Sequence, residues 1–172
     1  IPTTYTGNGL YGPFHAYEDA IYRRWQLGLF EAFPNLTFKA HPKSRSAPLK
    51  GVALDKRQLE DCIAEYDLVV FDYFATGSML ALVSDKPVIY CDIGLRRLHT
   101  EFLRDLKNRC EYVKIDLNCP IKPQLNDALL RCWASPIGRS NEEMKRYVFC
   151  EKTTFNWIDL FRALEKGQSL II

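Results

Sequence analysis

Leu68-Val69-Val70-Phe71-Asp72-Tyr73-Phe74-Ala75-Thr76-Gly77-Ser78 is the stretch whose reading decides the fold. Four apolar residues in an unbroken run are the pattern of a central parallel strand covered by helices on both faces. The polar residues after Phe71 read as a turn into a helix from about Thr76 through Val83, and Lys86-Pro87 breaks it because proline cannot donate to a helical hydrogen bond. Val88-Ile89-Tyr90-Cys91 is then a second apolar strand. Strand, helix and strand in that order make a βαβ unit with parallel strands.

Outward from this unit the alternation continues. Upstream, the apolar residues Ala20, Ile21, Trp25, Leu27, Leu29, Phe30 and Phe33 recur at helical spacing between Tyr17 and Phe33, with Glu18 and Asp19 favourably placed in the first turn. Pro34-Asn35 ends that helix, and Leu36-Thr37-Phe38-Lys39-Ala40 reads as a strand that stops at His41-Pro42. Pro42 to Gly51 is polar and loop-like, and Asp55 is placed to cap a helix from about Lys56 to Glu65. Downstream, a helix from about Leu98 to Asn108 precedes the strand Tyr112–Ile115. Pro123–Trp133, Asn141–Cys150 and Phe155–Lys166 then read as amphipathic helices. The prediction is one α/β, Rossmann-like domain over residues 1–172, with at least four parallel strands flanked by helices. Residues 1–14 form a linker or interdomain loop.

Composition narrows the function classes. The 172 residues suffice for one domain with a substantial core, and 47% apolar with 26% charged residues is ordinary globular usage. A formal net charge of +2 does not call for a nucleic-acid partner. No apolar run approaches the ~18 residues of a membrane-spanning helix, and the start Ile1-Pro2-Thr3 has neither a signal-peptide pattern nor an initiator Met, so the chain reads as a piece of something longer. Six irregularly spaced cysteines form no CxxC pair, which points to reduced thiols of a cytosolic protein rather than to zinc or disulfides.

Ligands of open α/β sheets bind beyond the carboxyl ends of the strands. Two segments fall there. Thr76, Gly77 and Ser78 open a helix, where free amides and the helix dipole favour a phosphate; two hydroxyls add donors and the glycine permits close approach. His41-Pro42-Lys43-Ser44-Arg45 follows the strand ending at Ala40, and its His41, Lys43 and Arg45 carry donors and charge for phosphate oxygens. If the two strands are neighbours, both turns overhang one crevice. The plainer readings are a helix cap at Thr76 or Ser78 and a solvated basic loop at His41–Arg45. Asp72 is placed to orient its turn or to bind a ribose hydroxyl. Asp92 and Gly94 lie beyond the next strand, and Arg96, Arg97 and His99 form a second basic cluster. Gly7-Asn8-Gly9-Leu10-Tyr11-Gly12 matches GxGxxG by letter. With little chain before it and Pro13 directly after it, it reads as a glycine-rich loop rather than a dinucleotide fingerprint.

The order of a strand ending in His41-Pro42, the Asp67-Leu68-Val69-Val70-Phe71-Asp72-Tyr73 strand and turn, a hydroxyl-bearing helix start and the Lys86-Pro87-Val88-Ile89-Tyr90 strand resembles the C-terminal half of CDP-glycerol glycerophosphotransferases and related capsule-polysaccharide transferases of GT-B architecture. The likeness is shared in part with GT-B sialyl- and Kdo-transferases, which hold the CMP portion of their donor with a His-Pro motif. It runs from about Tyr17 to Lys166, with the specific part in residues 36–92, and departs from the family where Phe74-Ala75 stand in place of serines.

The resemblance implies a donor-binding domain of a glycosyl- or glycerophosphotransferase in bacterial surface-polysaccharide synthesis (capsule, lipopolysaccharide or teichoic acid). The donor is CMP- or CDP-activated, with uridine left open. His41 and Pro42 would meet the nucleotide and its phosphate, Lys43 and Arg45 would add charge, and Thr76, Gly77 and Ser78 would hold the phosphate. No cofactor or metal is implied. The acceptor and the general base are expected on an N-terminal domain outside this chain, and the location is cytoplasmic, peripheral to the membrane through other segments. Phe155–Asp159 resembles the closing helix that packs back on such a domain. A nucleotide-sugar 2-epimerase half would carry a Ser-Gly-Gly turn, and a receiver module an acidic pair at its first strand; neither is present. A non-catalytic Rossmann-like scaffold in a polysaccharide-assembly protein is the other reading.

Overall fold

The computed structural model describes residues 19–39, 49–94, 97–135 and 139–148. Helix α1, Asp19–Ala32, buries Tyr22, Trp25, Gln26, Leu29 and Phe30, the i, i+3, i+4, i+7, i+8 stripe of an amphipathic helix. Strand β1 is Thr37–Lys39 and β2 is Ala53–Asp55, paired in parallel with Phe38 opposite Leu54. Helix α2, Leu59–Cys62, runs into a tighter single turn, Ile63–Glu65. There follow β3 (Val69–Phe71), α3 (Thr76–Val83), β4 (Val88–Asp92), α4 (Thr100–Arg109), β5 (Glu111–Lys114), α5 (Ile121–Ala134) and α6 (Glu142–Val148).

Strands β3, β4 and β5 form a parallel sheet in sequential order, with Phe71 opposite Tyr90 and Tyr90 opposite Tyr112. Strand side chains alternate between the two faces, so each face has its own core. On one face Val69, Phe71, Val88 and Tyr90 pack with Ala81 and Leu82 of α3, Leu106 of α4 and Met144 of α6. On the other, Ile89 and Cys91 pack with Tyr22, Trp25 and Leu29 of α1 and Leu125 and Ala128 of α5. The result is a three-layer α/β/α domain of Rossmann-like type. A smaller third cluster, Phe30, Phe38 and Leu49, joins α1 to the β1–β2 pair.

Two expectations are corrected. Asp55 ends β2 instead of capping a helix. Its carboxylate accepts the Arg57 N–H at 2.8 Å, Arg57 Nη2 at 2.8 Å and the Tyr66 hydroxyl at 2.8 Å, and the helix starts later, with Gln58 as its N-cap residue. Pairing with β1 draws Asp55 into extended backbone, and its oxygens then serve the crossover beyond it. Strand β1 neighbours β2 and belongs to a different sheet from β3, so the crevice expected between the His41 and Asp72 turns does not follow from strand pairing. In place of a β1–β3 ladder lies a cavity of about 820 Å³, with Thr37 and Lys39 on one side and Val69, Val70 and Phe71 on another.

The far end of α3 is closed by a buried cation. Arg109, 1% exposed, donates from Nε to the Leu82 carbonyl at 2.6 Å and from Nη2 to those of Ala81, Ser84 and Lys86 at 2.9 to 3.2 Å. These include carbonyls that a helix end leaves without intrahelical partners. Burial lowers the Arg109 pKa from its ordinary value. Among the described residues no helix is long and apolar enough to cross a membrane.

Candidate functional site

The carboxyl edge of the β3-β4-β5 sheet gathers the polar chemistry. Strand β3 delivers Asp72, and the turn after it delivers Thr76 and Gly77 at the start of α3. The N-cap residue of α3 is Ala75, in extended backbone, and alanine has no side-chain acceptor to offer the first-turn amides. The first intrahelical bond runs from Met79 N–H to the Ala75 carbonyl at 3.1 Å. Thr76 is exposed and Gly77 half-buried, so the positive end of the helix is open to an approaching anion.

Ser78 faces the other way. It is wholly buried, its Oγ accepts the Ala75 N–H at 2.7 Å and donates to the Ala75 carbonyl at 2.8 Å. The hydroxyl therefore closes the helix start from the inside, one half of the reciprocal exchange of a capping box.

Asp72 is 3% exposed and accepts the Tyr22 hydroxyl at 2.5 Å and Trp25 Nε1 at 2.8 Å, both on one carboxylate oxygen. The carboxylate thereby pins α1 to the end of β3 through two buried donors. The sequence alone places Trp25 among the apolar residues of a helix. The available clue to its second role was the rule that a buried indole or phenol finds a polar partner.

At the end of β4, Asp92 accepts the Gly94 N–H at 2.9 Å and a short hydrogen bond from the Tyr112 hydroxyl. Gly94 holds φ of +81°, the left-handed backbone that its turn requires. The Tyr112 phenol is pushed well above its ordinary pKa, first by burial and then by its bond to Asp92, so it stays a proton donor. Tyr90, beside it, is raised by burial and by the charges of Asp92, Tyr112 and Asp72. An edge-to-face aromatic train, Phe71, Phe74 and Phe102, backs the turn at centroid spacings of 5.4 and 5.2 Å. Phe74 thus packs against Phe71, Tyr90 and Phe102.

The structure brings Asp72, Thr76, Gly77 and Ser78 into one turn. His41, Pro42, Lys43 and Arg45 lie outside the described residues, as do Gly7–Gly12, Arg96 and Phe155–Asp159. His99 is the exposed N-cap residue of α4 and Arg97 is exposed before it. Among the described residues no three His, Cys, Asp or Glu side chains gather as metal ligands. Cys62, Cys91, Cys110, Cys119 and Cys132 are free thiols.

The fold and this edge define a class: a Rossmann-like α/β domain with an open helix N-terminus at the carboxyl end of a parallel strand. No family model, curated protein or solved structure matches the chain.

Proposed function

We propose that this chain is the donor-nucleotide-binding domain of a glycosyl- or glycerophosphotransferase of bacterial surface-polysaccharide synthesis, taking a CMP- or CDP-activated donor. The observation that carries the reading is the start of α3. An eight-residue helix opens at the end of β3 with an alanine for its N-cap, leaving the Thr76 and Gly77 amides without a side-chain cap. On this reading those amides and the Thr76 hydroxyl receive the donor phosphate, and His41, Lys43 and Arg45 supply positive charge. Together they stabilise the phosphate as it departs with the nucleotide, the step at which preorganised donors contribute most. Asp72 positions α1 against the site and does not itself meet the ligand. Acceptor and general base belong to a second domain.

A scaffold without catalysis is the second reading, favoured by the inward-turned Ser78 and by two carboxylates, Asp72 and Asp92, on the same edge. Negative charge there opposes an anionic ligand unless cations offset it. Calorimetric titration with CMP, CDP, UMP, UDP and ADP separates the two. The donor reading expects cytidine nucleotides to bind selectively. Gly77→Glu, which puts a carboxylate into the helix start, weakens them at least tenfold, and His41→Ala weakens them less. Absence of binding by every nucleotide, to this chain and to a protein containing both domains, would overturn it.

A further inference from the structure

Strand β4 buries a phenol that the fold leaves unsatisfied. Tyr90 is 2% exposed, yet among the described residues its hydroxyl makes no hydrogen bond. A buried phenol ordinarily finds a polar partner. The acceptors nearby are engaged elsewhere: Asp92 serves Tyr112 and the Gly94 N–H, and Asp72 serves Tyr22 and Trp25. Among the described residues Arg109 Nη1 is the one side-chain polar atom both sealed from solvent and without a partner. The Tyr90 oxygen, unpartnered as well, is therefore not sealed. The ring is buried and its oxygen meets the surface.

Its neighbours say where that surface lies. Tyr90 stands opposite Phe71 of β3 and Tyr112 of β5, and all three rings are on the face that α3 and α4 cover. Strand side chains stand off the sheet and lean along the strand. On this face the lean is toward the carboxyl edge, because Tyr112 carries its hydroxyl to Asp92, two residues beyond Tyr90 on β4. The Tyr90 ring lies 4.8 Å from that of Phe74, in the turn before α3. Phe74 lies 5.2 Å from Phe102 in the first turn of α4, so both helices begin above the phenol. The nearest open backbone is the start of α3, where Thr76 is exposed and Gly77 half-buried. Burial and then the charges of Asp92, Tyr112 and Asp72 push the phenol well above its ordinary pKa, so it is a proton donor at neutral pH.

We propose that Tyr90 is a ligand-contacting residue of this site, its hydroxyl donating to a phosphate oxygen held by the Thr76 and Gly77 amides. The inference rests on the reading of the α3 start as a phosphate seat and adds to it a side-chain donor that approaches from the sheet. It also accounts for a hydroxyl that weakens the free protein. Burying a polar group without a partner costs stability, and an anion that accepts the bond removes that cost. Deleting the hydroxyl should then act in opposite directions on stability and on affinity, which a purely structural hydroxyl would not do.

The test is an NMR titration of the whole chain, its tyrosines isotope-labelled at Cζ, with CDP and with inorganic pyrophosphate. The Thr76 and Gly77 amides report the phosphate seat, and the Tyr90 Cζ resonance reports the hydroxyl. All three should shift together with one dissociation constant. Shifts at Thr76 and Gly77 with Tyr90 unmoved overturn this inference and leave the donor reading standing. A shift at Tyr90 alone overturns it too, since the ligand then lies away from α3, and no shift at any of them overturns both. In the companion variant, Tyr90→Phe, affinity should fall roughly tenfold or more while the urea midpoint stays level or rises. Unchanged affinity, or a lowered midpoint, gives the hydroxyl a structural role and overturns the proposal. Should Tyr90→Phe fail to fold, the titration of the labelled parent still decides.

Discussion

The β3-β4-β5 sheet and the β1–β2 pair are both parallel, yet they are held by different forces. The larger sheet is covered on both faces, and Phe71, Ile89, Tyr90 and Cys91 are all but excluded from water. The smaller pair has one cluster of three buried side chains, Phe30, Phe38 and Leu49. Beside it stands a polar clamp in which Arg57 joins Asp55 to Glu65 at 2.8 and 2.6 Å. Apolar burial scales with area and survives changes of pH and salt, whereas a half-exposed ion-pair network is screened and titrates. Stability should therefore be concentrated around β4, with the β1–β2 end opening first.

The largest effect expected on this contrast comes from the centre of the larger sheet. Phe71→Ala should cost about 3–5 kcal/mol in urea denaturation, as large aromatic deletions in cores do. A cost comparable to that of Phe38→Ala, which empties the smaller cluster, would remove the contrast. Next is the joint between α1 and β3. Asp72→Ala leaves the Tyr22 hydroxyl and Trp25 Nε1 without this acceptor, and should cost about 1–3 kcal/mol for each donor left buried and unsatisfied. A shift in Trp25 fluorescence should accompany it, and unchanged stability would mean that α1 is held by packing alone.

Acid should act on the smaller pair first. Hydrogen bonds from Arg57 hold both Asp55 and Glu65 below the usual carboxylate range. A depressed folded pKa contributes stability that is complete above the unfolded value of ~4 and is lost as pH falls through the folded value. Hydrogen exchange should then show Leu54 and Asp55 losing protection as pH drops below about 4, ahead of Ile89 and Cys91. In the larger half Asp105 is likewise lowered, first by the Tyr147 hydroxyl, and it contributes in the same direction, so the whole chain weakens in acid while the order of opening is kept. The smallest effect expected is that of Arg57→Ala at neutral pH. It should speed exchange in β2 with little change in the global midpoint, and should flatten the acid response of β2. Acid response in that variant equal to the parent's would assign it to other carboxylates.

Much of this architecture was legible in the chain. Leu68–Phe71, Thr76–Val83 and Val88–Cys91 fell where the apolar runs, the hydroxyl-rich start and Lys86-Pro87 placed them, because each boundary is set by local chemistry: a proline, a run of apolar residues, a change of period. The short strand Ala53–Asp55 was not legible, since three residues carry no period and its existence depends on pairing with Thr37–Lys39. The candidate site divided the same way. Its position beyond a parallel strand follows from the βαβ pattern. The direction in which a side chain points does not, and Ser78 facing inward while Thr76 faces out distinguishes two hydroxyls that looked equivalent.

By itself, then, the sequence determined the class of domain, the order of its central elements and the turn that opens α3, because these depend on periodicity and on residues adjacent in the chain. Tertiary structure alone decided that Tyr22 and Trp25 serve Asp72, that Tyr112 serves Asp92, and that Arg109 closes the end of α3. It also decided that β1 and β3 stand on different walls of a cavity. Each of these joins residues 20 or more positions apart, and burial obliges every polar group to find its partner wherever the fold brings one within reach.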